Sequence, residues 1–154
     1  MASVNSLTLV NSCMCTNLRK VSRLITRVYD NRLKPSGINI NQLALLLTID
    51  GLREEEKGAP SLSEIGESMA MDNSTLSRNL RVLENQDLVQ LIPDPDKRTR
   101  KSVKITAKGE LALQKAFPFW MEVQNEIQEK LGEKNFKEMI DLLHQLEVIL
   151  RAFQ

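Results

Sequence analysis

The sequence predicts a mainly α-helical chain carrying one small β-hairpin, and three observations lead there. Two short helical patterns between residues 61 and 86 are followed by the apolar run Leu88-Val89-Gln90-Leu91-Ile92. Pro93-Asp94-Pro95-Asp96 stops that run, because proline donates nothing to a strand ladder. The stretch Ser102-Val103-Lys104-Ile105-Thr106 alternates with period two and reads as the return strand. Outside this block, residues 12–33 and 107–154 place apolar side chains at three- and four-residue steps, the period of amphipathic helices. Together these give a winged helix-turn-helix over 39–107, with dimerisation helices at 12–34 and 108–154, in a single domain spanning 1–154.

Residues 1–10 are small and polar and read as a loosely ordered arm. A helix follows from about Ser12 to Leu33, with Leu18, Val21, Ile25, Val28 and Arg32 on one side, and Pro35-Ser36-Gly37 ends it. Asn39-Ile40-Asn41-Gln42 has the form of a capping box, and the nearly all-apolar 43–47 suits a helix buried between layers. Gly51 and the polar run 53–58 read as a loop before Pro60.

Ser61-Leu62-Ser63-Glu64 is a second capping box, with Ile65 and Met69 following at helical spacing. The turn Ala70-Met71 leads to Asp72, an N-cap candidate for the next helix. In that helix Leu76, Leu80 and Leu83 make one buried stripe. Its other face carries Asn73, Ser74, Thr75, Ser77, Arg78 and Arg81, short polar or cationic groups suited to base edges and phosphates in a major groove. Lys97, Arg98, Arg100 and Lys101 lie at the hairpin tip.

Beyond the hairpin, Ala107-Lys108-Gly109 opens a helix with Leu111, Leu113 and Phe117 on its apolar side. Pro118 lies inside that pattern and predicts a kink, since an interior proline costs a straight helix about 3 kcal/mol. Gly132 is placed to cap it. The final helix, from about Lys134, carries Phe136, Met139, Ile140, Leu143, Leu146, Ile149, Leu150 and Phe153. That stripe is too long for a small winged helix to cover, and a second copy of the chain is the simplest partner.

Charge separates along the chain although the net charge is only +1. Eight Lys or Arg lie between Arg78 and Lys108, against Glu84, Asp87, Asp94 and Asp96, while 53–56 and the C-terminal third hold much of the acid. Such segregation points to one face meeting nucleic acid. The competing reading is a protein-interaction winged helix with a solvated charged loop; it predicts duplex binding that is absent or insensitive to salt. No basic secretory segment and no membrane-length apolar run is present, so the expected compartment is the cytoplasm. Two cysteines two residues apart cannot staple a fold, and zinc-ligand spacing is absent, so neither metal nor cofactor is expected. His144, the single histidine, has no nucleophile or ligand companion at useful spacing, which argues against an enzyme.

From about residue 13 to its end the chain resembles the MarR family of dimeric winged-helix transcriptional regulators. The most specific part is Asp96-Lys97-Arg98 followed by Val103-Lys104-Ile105-Thr106-Ala107-Lys108-Gly109, similar to the family's wing pattern. Tyr29-Asp30, Gly37-Ile38-Asn39 and Gln42 resemble its first helices. The resemblance implies a homodimer on a palindromic double-stranded DNA operator, with Arg98 entering the minor groove. It further implies a repressor released by a small aromatic ligand held between the dimer helices and the winged helix, which Tyr29 and Trp120 would line. Asp87 stands where the family usually closes the recognition helix with glycine, and Leu91 where it often has arginine.

Cys15 resembles, by its place near the start of the first helix, the peroxide-sensing cysteine of the organic hydroperoxide resistance regulators. Tyr29 matches one tyrosine of that subgroup's thiol-binding network, whereas Arg19 and Ile40 occupy the other two tyrosine positions. The alternative to ligand release is therefore thiol-based redox sensing through Cys15. Cys13 and Cys15 are otherwise small, inert helix residues.

Overall fold

A computed structural model describes residues 5–56, 58–93 and 100–153. Seven helices and a hairpin follow in the order α1 (Ser6–Ser12), α2 (Met14–Leu33), α3 (Ile40–Glu56), α4 (Leu62–Ser68), α5 (Asn73–Asn85), β1 (Val89–Pro93), β2 (Lys101–Ile105), α6 (Ala107–Leu131) and α7 (Glu133–Arg151). A 3-10 turn, Lys34–Ser36, joins α2 to α3 and ends at Gly37 in the left-handed region, φ 81°. The strands are antiparallel, with Val89 opposite Ile105, Leu91 opposite Val103 and Pro93 opposite Lys101. Pro93 thus ends the ladder from inside, at the edge position where its missing N–H is harmless.

The core gathers where α3, α4, α5 and the hairpin meet. Leu33, Leu46, Ile49, Ile65, Leu76, Leu83 and Val103 are fully enclosed. The predicted stripe of α5 supplies three of its members, Leu76, Leu80 and Leu83. The hairpin is stitched to the start of α4: Val103 N donates to Pro60 O at 2.8 Å, and Ser61 bridges Ser102. Both capping boxes form. Asn39 and Gln42 exchange side-chain bonds with each other's amides at 2.9 Å. The Ser61 amide donates to Glu64 Oε2 at 2.6 Å, while the Glu64 amide donates to Ser61 Oγ at 3.3 Å.

Three sequence expectations are corrected. Part of the expected arm is helical: Asn5 caps α1 by accepting from the Leu7 amide at 2.9 Å, and an extended Cys13 separates α1 from α2. The expected loop at 51–56 is the end of α3, since Arg53 pairs with Asp50 and reaches Glu110 of α6 at 3.3 Å. Leu111 and Phe117 lie in solvent, whereas Gly109, Ala112, Ala116 and Val123 form the buried face of α6. At Gly109 the reason is steric, because the start of α6 approaches the hairpin too closely for a side chain. A Cβ added to Gly109 would collide with the carbonyl oxygen of Leu88 and sit 2.7 Å from Ile105 Cγ2. Pro118 lies within α6, which runs on beyond it to Gly132.

Among the described residues no helix is long and apolar enough to cross a membrane.

Candidate nucleic-acid interface

The helix-turn-helix is set by local chemistry. α4 ends at Met69, Ala70 takes φ 49°, and Asp72 restarts the chain as the N-cap of α5. Asp72 Oδ1 accepts from the Thr75 amide at 2.8 Å and from Ser74 Oγ at 2.6 Å, and Oδ2 accepts from Thr75 Oγ1 at 2.7 Å. These bonds, the Ser74 hydroxyl foremost, hold the Asp72 carboxyl well below its ordinary value. The cap therefore contributes stability at neutral pH that is lost progressively as pH falls from the ordinary aspartate value toward this lowered one. The hydroxyls of Ser74 and Thr75 are thus committed to the cap, and their remaining acceptor capacity faces outward.

Beyond this first turn, Asn73, Ser77, Arg78 and Arg81 stand exposed on the face opposite the buried leucines. Arg78 Nε donates to Ser74 O at 3.2 Å, which aligns the guanidinium along the helix. α5 closes on Asp87 at φ 59°, the left-handed position that glycine occupies in the resembling family. Aspartate tolerates it through its short polar side chain. The Asp87 carbonyl accepts from Thr106 Oγ1 at 2.6 Å, tying the end of α5 to the start of α6.

Arg100 and Lys101 lie exposed at the root of the wing. Because the wing is stitched to α4, they share a cleft of about 700 Å³ with Ser61, Ser63 and Asn73. This cleft connects wing and recognition helix. Sequence reasoning found its cations but missed the serines; an extended Pro60-Ser61 just before a capping box was the available signal. Lys97 and Arg98 fall outside the described residues.

The other candidates lie away from this face. The Tyr29 hydroxyl donates to Gln124 Oε1 at 2.7 Å, and burial raises its phenol above the ordinary value. Trp120 is half-buried and stacks on Phe117 with centroids 5.8 Å apart. An open cleft of about 820 Å³ lies between α7 and the α4–α5 turn and is lined by Leu143, Leu146, Leu150 and Arg151 rather than by Tyr29 or Trp120. Cys13 and Cys15 are both exposed at the break between α1 and α2. The Thr16 hydroxyl, and after it the Thr16 amide, lower the thiol pKa of Cys13.

Known proteins share this architecture. A family model described as a winged helix DNA-binding domain matches residues 39–109. The M. tuberculosis transcriptional regulator MosR is 30% identical in one crystal structure, with a TM-score of 0.71 over 89% of this chain and 97% of that one. In its complex with DNA it is 29% identical, with a TM-score of 0.75 over 90% and 98%. The PcaV regulator of Streptomyces coelicolor, solved with its natural ligand, is 15% identical with a TM-score of 0.78 over 96% and 97%. A mutant of E. coli MarR complexed with operator DNA is 20% identical, with a TM-score of 0.70 over 88% and 99%. At those last two identities the likeness is one of fold. No curated protein sequence matches the chain.

Proposed function

Because this chain belongs to the MarR family of winged-helix DNA-binding transcriptional regulators, we propose that it acts in the cytoplasm as a homodimeric repressor on a palindromic duplex operator. The observation that carries this reading is the convergence of the polar front of α5 and the basic wing root on one face. Dimerisation draws its support from α7, a helix of 19 residues with none buried, and from the apolar side chains of α2 left in solvent. Release by a small aromatic molecule draws its support from the open cleft between α7 and the α4–α5 turn.

In this reading Asn73, Ser74, Thr75, Ser77, Arg78 and Arg81 face the major groove. Arg100 and Lys101 hold phosphates, and Arg98, by its match to the family's wing arginine, meets the minor groove with Lys97 beside it in sequence. The minor groove distinguishes mainly A·T from G·C, so an arginine there contributes chiefly sequence-independent affinity. Arg98→Ala is expected to weaken binding to most duplexes and reduce the salt slope by about one charge. Arg78→Ala, losing a guanine contact, is expected to cost about 1–3 kcal/mol on a selected operator and much less on scrambled DNA. A salt titration of both variants on both duplexes tests this. An unchanged slope and affinity in Arg98→Ala would favour the protein-interaction reading.

A second reading, redox release, rests on the two exposed thiols at the α1–α2 break and the lowered thiol pKa of Cys13, since the thiolate is the form that oxidants attack. Peroxide is then expected to weaken operator binding by the parent and to leave the double variant Cys13→Ser with Cys15→Ser unaffected, while Cys15→Ser alone shows which thiol responds. Equal responses of the parent and the double variant in a binding assay at matched peroxide would return the thiols to a structural role.

A further inference from the structure

Among the described residues, one side chain bridges the mouth of the cleft between α7 and the helix-turn-helix. Arg151, in the last turn of α7, donates from Nη2 to the backbone carbonyl oxygen of Glu67 at 2.8 Å, a contact across 84 residues of sequence. Its guanidinium is aimed by Glu147 one turn earlier, whose Oε1 accepts from Nε at 3.0 Å and from Nη2 at 2.7 Å. Glu67 O belongs to the last turn of α4 and also accepts from the Ala70 amide at 3.2 Å. Arg151 therefore grips the chain at the turn that leads into α5. Below this grip the helices stand apart, with Leu143 and Leu146 across open space from Gly66 and Met71.

The structure assigns Arg151 the role of a positioning residue that sets the reach of the recognition helix from the dimer platform; this rests on the dimeric DNA-binding reading above. The winged helix joins the rest of the chain covalently at its two ends, through the turn after α2 and through α6. Both connections enter far from the α4–α5 turn, so a rotation about them would swing α5 relative to the platform. A hydrogen bond from α7 to the far side resists that swing. A dimeric helix-turn-helix protein must hold its two recognition helices one DNA turn apart, about 34 Å. One base pair shifts that demand by about 3.4 Å. A cation bonded to a carbonyl at a helix C-terminus is a strong form of hydrogen bond, and Glu147 restricts its rotamers, so the link is short and stiff.

The consequence is selectivity for half-site spacing rather than for bases. The experiment uses the full chain, operator fragments selected from genomic DNA, and derivatives lengthened or shortened by one base pair between half-sites, with a scrambled duplex alongside. The parent is expected to prefer native spacing by about tenfold. In Arg151→Ala that preference is expected to narrow to about threefold or less, with scrambled-duplex affinity, its salt slope and the dimer mass unchanged. Arg151→Lys, which keeps a donor for Glu67 O, is expected to restore part of the preference. A merely structural loss would lower all affinities together and would overturn the assignment, as would an Arg151→Ala profile identical to the parent's. Failure of the parent to bind any duplex would instead remove the DNA-binding reading, and this inference with it.

Discussion

Replacing Gly109 with alanine is expected to destabilise the protein by about 3 kcal/mol, the upper part of the range for overpacking a filled site. The added methyl would meet the Leu88 carbonyl oxygen and Ile105 Cγ2. Neither yields cheaply. Leu88 O already accepts from the Thr106 amide at 3.1 Å, and Ile105 is locked into the hairpin opposite Val89. Alanine's better helix propensity, about 1 kcal/mol, offsets only part of this. Gly51 is the internal control, since it lies within α3 and a Cβ there would meet nothing within 4 Å. Gly51→Ala is expected to stabilise by about 0.5–1 kcal/mol. Urea unfolding at one fixed protein concentration compares the two, because a dimer's midpoint depends on concentration. Equal midpoints for Gly109→Ala and the parent would mean that α6 does not press on the hairpin as described.

The second large effect concerns assembly. Leu142 and Ile149, on one side of α7, are 63% and 52% exposed, and Phe153 is 80% exposed just beyond the helix. Leu143, Leu146 and Leu150 instead line the cleft toward α4. The stripe read from the sequence as one surface therefore divides, Ile149 and Phe153 from Leu143, Leu146 and Leu150; Leu142, outside that stripe, joins Ile149, and these two test the dimer more cleanly. Burying a leucine or isoleucine contributes about 2 kcal/mol, and two-fold symmetry uses each position twice. The double variant Leu142→Glu with Ile149→Glu is expected to be a folded monomer by light scattering and circular dichroism. Its operator affinity is expected to fall by about 10²–10⁴-fold, the loss that follows when two half-site contacts cease to be linked. A folded dimer retaining parental affinity would place the interface on other residues.

Features governed by neighbours in sequence were legible before the structure. The capping boxes at Asn39 and Ser61, the Asp72 cap and the Leu76, Leu80, Leu83 stripe each involve residues within a turn or two of one another. What escaped reading depends on distant partners. The acidic run after Gly51 looks like a loop until Arg53 is seen reaching Glu110. Leu111 and Phe117 look like the buried side of α6 because size suggests burial. The close approach of Leu88 turns the Gly109 side of α6 inward instead, and Ala112, Ala116 and Val123 are buried further along it. The interface divides in the same way. Arg78 and Arg81 could be placed from helical periodicity, whereas the meeting of Ser61 and Ser63 with Arg100 depends on the stitch between Pro60 and Val103.

In the proposed assembly, two copies of this chain read two halves of one duplex site. Selecting bound fragments from the organism's genomic DNA with the full-length protein tests it most directly. The recovered sites are expected to share an inverted repeat whose half-site centres lie about 10 base pairs apart, or a multiple of that. Recovery of single half-sites with no repeat, or of no duplex above background, would contradict it.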